Sequence, residues 1–560
     1  MEAGRMKTKI LYIFALVALA LSACGGGTPA GGQNPSQEGS GETPAIVRVG
    51  WAGSPDTLNP GMAVLSESYT IFELVYDSMY ELNMDGTFTL TLAESAAVSD
   101  DGLVWTFKIR DGVAFHDGQP LTAKDVVFSY NLYQSTEDYP WMGGYTSYFE
   151  SIEATDANEV VITLSEAIPN IESQLVFLYV LPEHVWGSED AVEFDNVSMI
   201  GSGPFKMVEY AQNEFVQLAA NKDHFFSPPK VDEVIFQTFE NNDALVQAIK
   251  TGQVDMITEM PATAVETLKT EDAVEVFVGA PLAPTVTDII FNQVLPENCP
   301  EGDGVCTGHP ALLDRNFRLA LAHATDKQKI IDIIYLGNAS PGLTLIPDGL
   351  GVWYNDSLAD YEFDLAKAAQ ILDDNGYVDA DGDGVRDMPD GSRSLTLRVN
   401  WPSDSVDGPR LAELLSEMWG ELGIKTELQS MDPDALTAVC CPAFDFDVML
   451  WGWGSDPDPN LLLSVMTSAE IPTGSSETGY SNAEYDELYG QQAVEANFEK
   501  RQELVWKMQE IVHNDVVYII PYYDPNIQAY RSDRFTGWIT GEAKLEFSDP
   551  SSLTLIEPVK

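Results

Sequence analysis

The most chemically suggestive spacing in the chain lies between residues 379 and 390. Asp379, Asp381, Asp383, Gly384, Asp387 and Asp390 stand at positions one, three, five, six, nine and twelve of a loop. That is the spacing at which carboxylates surround Ca2+ in an EF-hand, with glycine at the sharp turn. An apolar stretch of helical period precedes it at 363–374, but Pro389 and a strand follow where a second helix would stand. The same run also reads as an Asp-Gly-rich hairpin turn, which the following Pro389 and strand favour. A structural Ca2+ site and a plain turn both stay open, and no other cofactor is required. Among the cysteines, Cys299 and Cys306 bracket a polar loop, across which a disulfide is expected in an oxidising compartment. Cys440 and Cys441 are adjacent, leaving a vicinal bridge or two separate thiols. The six His are scattered, HExxH and CxxC are absent, and so is GxSxG. Neither a zinc site nor a nucleophilic triad is therefore read. His116 reads as a hydrogen-bonded turn residue, since a lone His without partners is rarely a base.

The start of the chain decides where the rest works. Arg5, Lys7 and Lys9 precede an uninterrupted apolar run, residues 10–21, which has the layout of an export signal. It is too short to span a bilayer, which takes about 20 apolar residues. Leu21, Ser22 and Ala23 before Cys24 resemble the lipobox of bacterial lipoproteins. That resemblance implies removal of a signal peptide at 1–23 and lipidation of Cys24. Residues 24–45 are dominated by Gly, Pro, Ser, Gln and Thr and read as a flexible tether. The expected location is the outer face of the cytoplasmic membrane, with the body held by its lipid anchor.

More than 500 residues follow the tether, too many for one core, so two or three lobes are expected. A net charge of −59 argues against nucleic acid and against direct adsorption to anionic lipid, both of which need basic patches. A monomer is expected.

Strand and helix patterns alternate along the body, giving a mixed α/β protein. Period-two segments at 46–51, 105–109, 160–164, 205–210, 215–221, 231–239 and 447–451 read as strands. Apolar spacing of helical period marks 66–82, 243–251, 317–324, 363–374, 409–422 and 499–513. Asp117-Gly118 signals a turn, and Thr122 can cap a helix over 123–133 with Asp125 in its first turn.

Several segments, in order, resemble the solute-binding proteins of ABC importers in the peptide, opine and nickel class, family 5. They are DTLNP at 56–60, AESAAVSDDGLVWTFKIRDGVAFHDGQPLTAKDVVFSY at 93–130, GSGPFKMVEY at 201–210 and NKDHFF at 221–226. ALVQAIKTGQVDM at 244–256, DRNFRLALAHATDKQKII at 314–331, FDLAKAAQILDDNGY at 363–377 and WGWGSDPDPN at 451–460 complete the series. An ordered series of this length is far more specific than any one motif.

The resemblance implies an α/β, two-lobed periplasmic-binding-protein-like clamp of type II, class C, with an inserted subdomain in the first lobe. Mapped here, the main lobe would hold 46–80, 200–286 and 522–560, the inserted subdomain 81–199, and the second lobe 287–521. It implies no enzyme activity, a peptide or other small solute as ligand, and a membrane permease complex as partner. Asp456 matches the family position whose carboxylate meets a peptide's amino terminus. Gly452 and Gly454 would leave the end of their strand uncrowded for an extended ligand, with Trp451 and Trp453 walling the pocket. Trp51 and Trp401 are weaker candidates of the same kind. Dipeptide-binding members carry an Arg after the strand at 395–401; here the loop reads PSDSVDG, with Ser403, Asp404 and Asp407, and the first Arg is Arg410. Dipeptide selectivity is therefore in doubt, and a longer peptide or an oligosaccharide stacked on the Trp residues stays open. Outside this class, a secreted hydrolase, or a sensor or adhesion protein on the same fold, would show ligand turnover or a different receptor.

Overall fold

The structure, a computed structural model, describes residues 44–83, 86–280, 284–539 and 550–560. The signal segment, Cys24 and nearly all of the expected tether lie outside the described residues.

Three larger sheets organise the chain. In the seven-stranded sheet, Ile46–Trp51 is central, parallel to Glu233–Thr238 on one side and to Met256–Ile257 on the other. Flanked on both edges and covered by helices, its Val47 and Val49 are wholly buried, which is why the segment is rich in β-branched residues. Asn526–Arg531 and Val274–Gly279 extend this sheet at one end, Phe215–Ala220 and Phe205–Ala211 at the other.

The five-stranded sheet runs Lys425–Met431, Thr396–Pro402, Val448–Gly454, Thr285–Phe291, Tyr518–Tyr523. Each of its faces packs a separate core. Val448 and Leu450 join Trp419 and Phe291 on one side, while Met449 packs with Val286 and Ile290 on the other, as a period of two requires. Thr285 and Val286, read from sequence as main-lobe residues, pair with Gly454 and Trp453 in this sheet, and Tyr522 and Tyr523 pair with Thr287 and Val286. The chain thus passes between the two sheets twice, ahead of Thr285 and again after Tyr523.

A four-stranded antiparallel sheet, ordered Ala93–Val98, Val104–Ile109, Glu159–Leu164, Phe149–Ala154, carries helix Ala123–Ser135 on one face. Phe107 and Ile109 point inward and Lys108 outward. The helix begins where expected: Asp125 reaches back so that the Thr122 backbone N–H donates to its Oδ2 at 2.9 Å. Val47, Phe107 and Tyr130 belong to one continuous core, so this sheet is fused to the seven-stranded one.

The helical period at 66–82 is cut short. Helix Ser66–Val75 ends at Tyr76, whose backbone is extended, and a short strand, Tyr80–Leu82, follows. Asp77 explains the break, because its carboxylate is drawn inward to accept from Ser202 Oγ at 2.6 Å and to meet His224 Nε2 at 3.1 Å. Cys299 and Cys306 are joined, with Cα atoms 6.1 Å apart, and Cys440 is joined to Cys441. Among the described residues no helix is long and apolar enough to cross a membrane.

His116 sits in the turn before Ala123–Ser135 and clasps the chain where it returns to the seven-stranded sheet. Its Nε2 donates to Gly203 O at 3.0 Å and its Nδ1 accepts from Gly201 N at 3.3 Å. Burial holds its pKa down at about 4, so the ring is neutral and does structural work. His116→Ala should lower stability by about 1–3 kcal/mol in chemical denaturation, the usual cost of stranding buried partners. A change within about 0.5 kcal/mol, the range typical of surface substitutions, would contradict the clasp.

Candidate functional site

The end of strand Val448–Gly454 carries the motif that the sequence singled out, and its geometry follows from close packing. Gly452 lies opposite Thr287, and a Cβ there would come within 2.5 Å of Val286 O. The glycine therefore lets two protein strands approach each other, which corrects the expectation that it makes room for a ligand. Gly454 is exposed, with nothing within 4 Å of where a side chain would stand.

The following loop is fixed at both ends. Ser455 Oγ donates to Pro284 O at 2.6 Å, tying the loop to the first crossing between the sheets. Asp458 is 4% exposed and Arg501, from helix Phe498–Asn514, only 3%. Arg501 Nη2 donates to Asp458 Oδ1 at 2.8 Å, and its Nε donates to Gln492 Oε1 at 3.1 Å. Its guanidinium also lies 4.9 Å from the centre of the Trp353 ring. Asp456 stands between these two anchors, its side chain reached by solvent through the cavity whose walls surround it.

Asp456 lines a cavity of about 650 Å³, within the range of small-ligand sites. Its walls come from both large sheets and from the fused one. Trp51 ends the central strand of the seven-stranded sheet, Glu67 and Tyr69 come from helix Ser66–Val75, and Glu259 follows Met256–Ile257. Trp141 and Tyr145 reach it from the side of the four-stranded sheet, and Asp524 lies in the second crossing. The chain brings together residues from segments hundreds of positions apart.

Burial raises the Asp456 carboxyl above its ordinary range, with Asp458 as the next cause. Glu259 is raised by burial and then by Glu67, and Asp524 by burial with Asp407 as an additional charge against it. Asp524 Oδ1 accepts from Thr287 Oγ1 at 2.9 Å.

The expected aromatic wall is elsewhere. Trp451 and Trp453 are half-buried and pack against the core of the five-stranded sheet, and neither lines this cavity. Strand alternation, with Asp288 paired directly to Trp451, puts both on the same face as Asp288, and Trp453 Nε1 donates to Glu477 Oε2 at 2.8 Å. Trp51, Tyr69, Trp141 and Tyr145 supply the aromatic lining instead. Trp401 is 8% exposed and belongs to the core, while Arg410 pairs with Glu413 at 2.9 Å on the surface. One signal points to Asp524: like Asp456, it directly precedes a proline just beyond a sheet strand. Glu67, Glu259, Trp141 and Tyr145 have no comparable signature.

In the Asp-rich loop, the carboxylates of Asp379, Asp381 and Asp387 lie within 4.8 Å of one another. Asp383 is instead turned to Val385 N at 2.8 Å and Asp390 to Ser392 N at 3.0 Å. Asp379 accepts from Gly382 N and Gly384 N, and Asp387 bridges to Ser394, so the loop forms a closed turn of backbone hydrogen bonds.

Comparison with known proteins adds to this geometry. The family model described as "Bacterial extracellular solute-binding proteins, family 5 Middle" matches residues 87–471. The chain is 29% identical over 497 residues to the oligopeptide-binding protein AppA of Bacillus subtilis, covering 86% of this chain and 87% of that one. The crystal structure of AppA in complex with a nonapeptide superposes with a TM-score of 0.65 at 25% identity, over 92% of this chain and 100% of AppA's. The ABC transporter substrate-binding protein CtaP of Listeria monocytogenes superposes with a TM-score of 0.74 at 27% identity, over 93% and 100%.

Two stability predictions follow from the buried charges. Asp458→Ala would leave Arg501 buried without its partner and should cost about 3–5 kcal/mol. A loss below about 1 kcal/mol, as for a surface pair, would show that the pair does not fix the loop. Behind Trp453, Glu477 is pushed up to about 8 by burial, and buried Asp288, at a bulge against Tyr518–Tyr523, is raised by burial and then by Glu477. The folded chain thus retains a proton that the unfolded chain releases near 4.5, the ordinary Glu value. Stability should fall as pH rises between these two values, by up to about 1.4 kcal/mol per pH unit for one proton. Glu477→Gln keeps an oxygen acceptor for Trp453, and its denaturation midpoints should fall less steeply with pH, the remaining slope coming from Asp288; identical slopes in both proteins would refute the assignment.

Proposed function

The chain belongs to the family 5 bacterial extracellular solute-binding proteins, and on that premise we propose that it is the peptide receptor of an ABC importer, which captures an extended peptide and passes it on unchanged. It is a solute-binding protein and not an enzyme. The observation that carries the peptide reading is the placement of Asp456. Its carboxylate faces a cavity lined from both large sheets, on a loop anchored at Ser455 and Asp458. A peptide ammonium there would gain a charge-assisted hydrogen bond strengthened by the partial exclusion of water. The named relatives support the ligand class, since AppA is described as oligopeptide-binding and was crystallised with a nonapeptide.

In this reading, with the bounds moved to keep strands Thr285–Phe291 and Tyr518–Tyr523 whole, residues 46–80, 200–284 and 524–560 form the main lobe, 81–199 the inserted subdomain and 285–523 the second lobe. The two crossings form a hinge. A peptide touching both lobes makes its full set of contacts only in the closed form, so binding shifts the population toward closure. The closed form is what the membrane permease complex recognises. Lipidation at Cys24 and the tether at 24–45 keep the receptor, a monomer, beside that complex at the outer face of the membrane. No covalent step is involved.

Asp456→Ala should weaken binding of an unmodified pentapeptide by roughly 30-fold or more in titration calorimetry, about 2 kcal/mol, the lower end for removing one partner of a buried charge pair. Mass spectrometry should recover the bound peptide intact. Unaltered affinity would discard the role of Asp456, and cleaved peptide would favour a hydrolase.

A further inference from the structure

The charge balance of the cavity exceeds what one peptide amino group requires. Glu67, Glu73, Glu259, Asp456 and Asp524 line it, and among the described residues no Lys, Arg or His does. General acidity of the chain does not account for the effect, because exposed carboxylates are solvated and screened over about 8 Å at physiological ionic strength. Here the carboxylates line one partly enclosed space, and Glu67 lies close enough to Glu259 to act on it. Burial acts on Glu259 beside Glu67 and on Asp524 with Asp407 against it, and no cation is among the groups acting on Glu259, Asp456 or Asp524. Among the described residues Ser66 Oγ donates to Glu67 Oε2 at 3.3 Å and Thr287 Oγ1 to Asp524 Oδ1, both neutral donors. The buried guanidinium that holds this loop, Arg501, is already committed to Asp458.

Aromatic rings supply a second, independent feature. Trp51, Tyr69, Trp141 and Tyr145 line the same cavity. The faces of such rings attract cations, Trp most strongly. Closure around a neutral ligand would press these carboxylates together in a drier space, where repulsion grows. A ligand with several positive charges turns the same arrangement into attraction.

We propose that the cleft selects peptides with basic side chains: Asp456 receives the amino terminus, while Glu67 with Glu259, and Asp524 separately, receive lysine or arginine side chains. The proposal rests on the peptide reading above and adds the charge class of the ligand.

The test is titration calorimetry of the purified full chain in detergent, freed of bound ligand by dialysis. The probes are three alanine pentapeptides, one unsubstituted, one with lysine and one with glutamate at the second and fourth positions, and spermidine. The lysine peptide should bind about tenfold or more tighter than the alanine peptide and about a hundredfold tighter than the glutamate peptide, magnitudes ordinary for close charge pairs at an interface. Added salt should narrow both ratios. In the double variant Glu67→Gln, Glu259→Gln the lysine-to-alanine ratio should fall roughly tenfold, and Asp524→Asn, tested separately, should lower it also. Equal affinities for the three peptides would overturn the charge inference while leaving the peptide reading intact. An unchanged ratio in both variants, each with the wild-type melting temperature, would overturn the assignment of these carboxylates. Spermidine bound with none of the peptides would overturn the peptide reading and this inference with it.

Discussion

Arg501 is the cation on which the site depends, because it is committed to Asp458 and not to Asp456, the residue that lines the cavity. Taking a guanidinium and a carboxylate out of water is costly, and the cost is offset only when geometry is good and the remaining donors are used. Here two N–H groups meet Asp458, two more bonds go to Gln492, and the plane lies over Trp353. Gln492 in turn donates to Asn460 at 2.8 Å, so the loop is held beyond Asp458 as well. With the nearby positive charge consumed, Asp456 two residues earlier is left to face the cavity with no cation of its own among the described residues.

The same loop is wired to the crossings between the sheets. Ser455 bonds to Pro284 at the first crossing; at the second, Asp524 accepts from Thr287 and donates its backbone N–H to Thr285 O at 3.3 Å. Two of the acidic groups facing the cavity are thus attached to the segments that the proposed hinge would bend. In that reading a ligand that engages Asp456 and Asp524 would act directly on the hinge, without a long chain of intermediaries. With no cation among the groups acting on them, these carboxylates would oppose closure of an empty cleft and favour closure around a cation.

Much of the architecture was legible because it follows from periodicity. The alternation at 105–109, the capped start of the helix at Ala123 and the strand beginning at Ile46 each depend on local sequence and appear where the pattern puts them. The helical period at 66–82 misled because apolar spacing continues through Tyr76 and Met79, while the break comes from Asp77, whose partners Ser202 and His224 are far away in sequence. At the site, motif position pointed to Asp456, which lines the cavity, but not to its surroundings. Trp451 and Trp453 share a strand face, and only the packing of two cores on opposite faces of one sheet decides that this face is interior. Gly452 looked like space for a ligand because the strand that fills that space, Thr285–Phe291, lies more than 150 residues earlier. Glu67 and Glu259 occupy ordinary helical and turn positions, and their relation exists only after folding.

Central to the proposed function is a peptide lying between the two sheets with its amino terminus on the carboxylate of Asp456. A crystal structure of the chain with bound peptide measures this directly. The predicted result is a terminal nitrogen within hydrogen-bond distance of an Asp456 oxygen, about 2.7–3.2 Å, in a ligand that touches residues of both sheets. A peptide bound outside this cavity, or one presenting its carboxyl terminus to Asp456, would contradict the account.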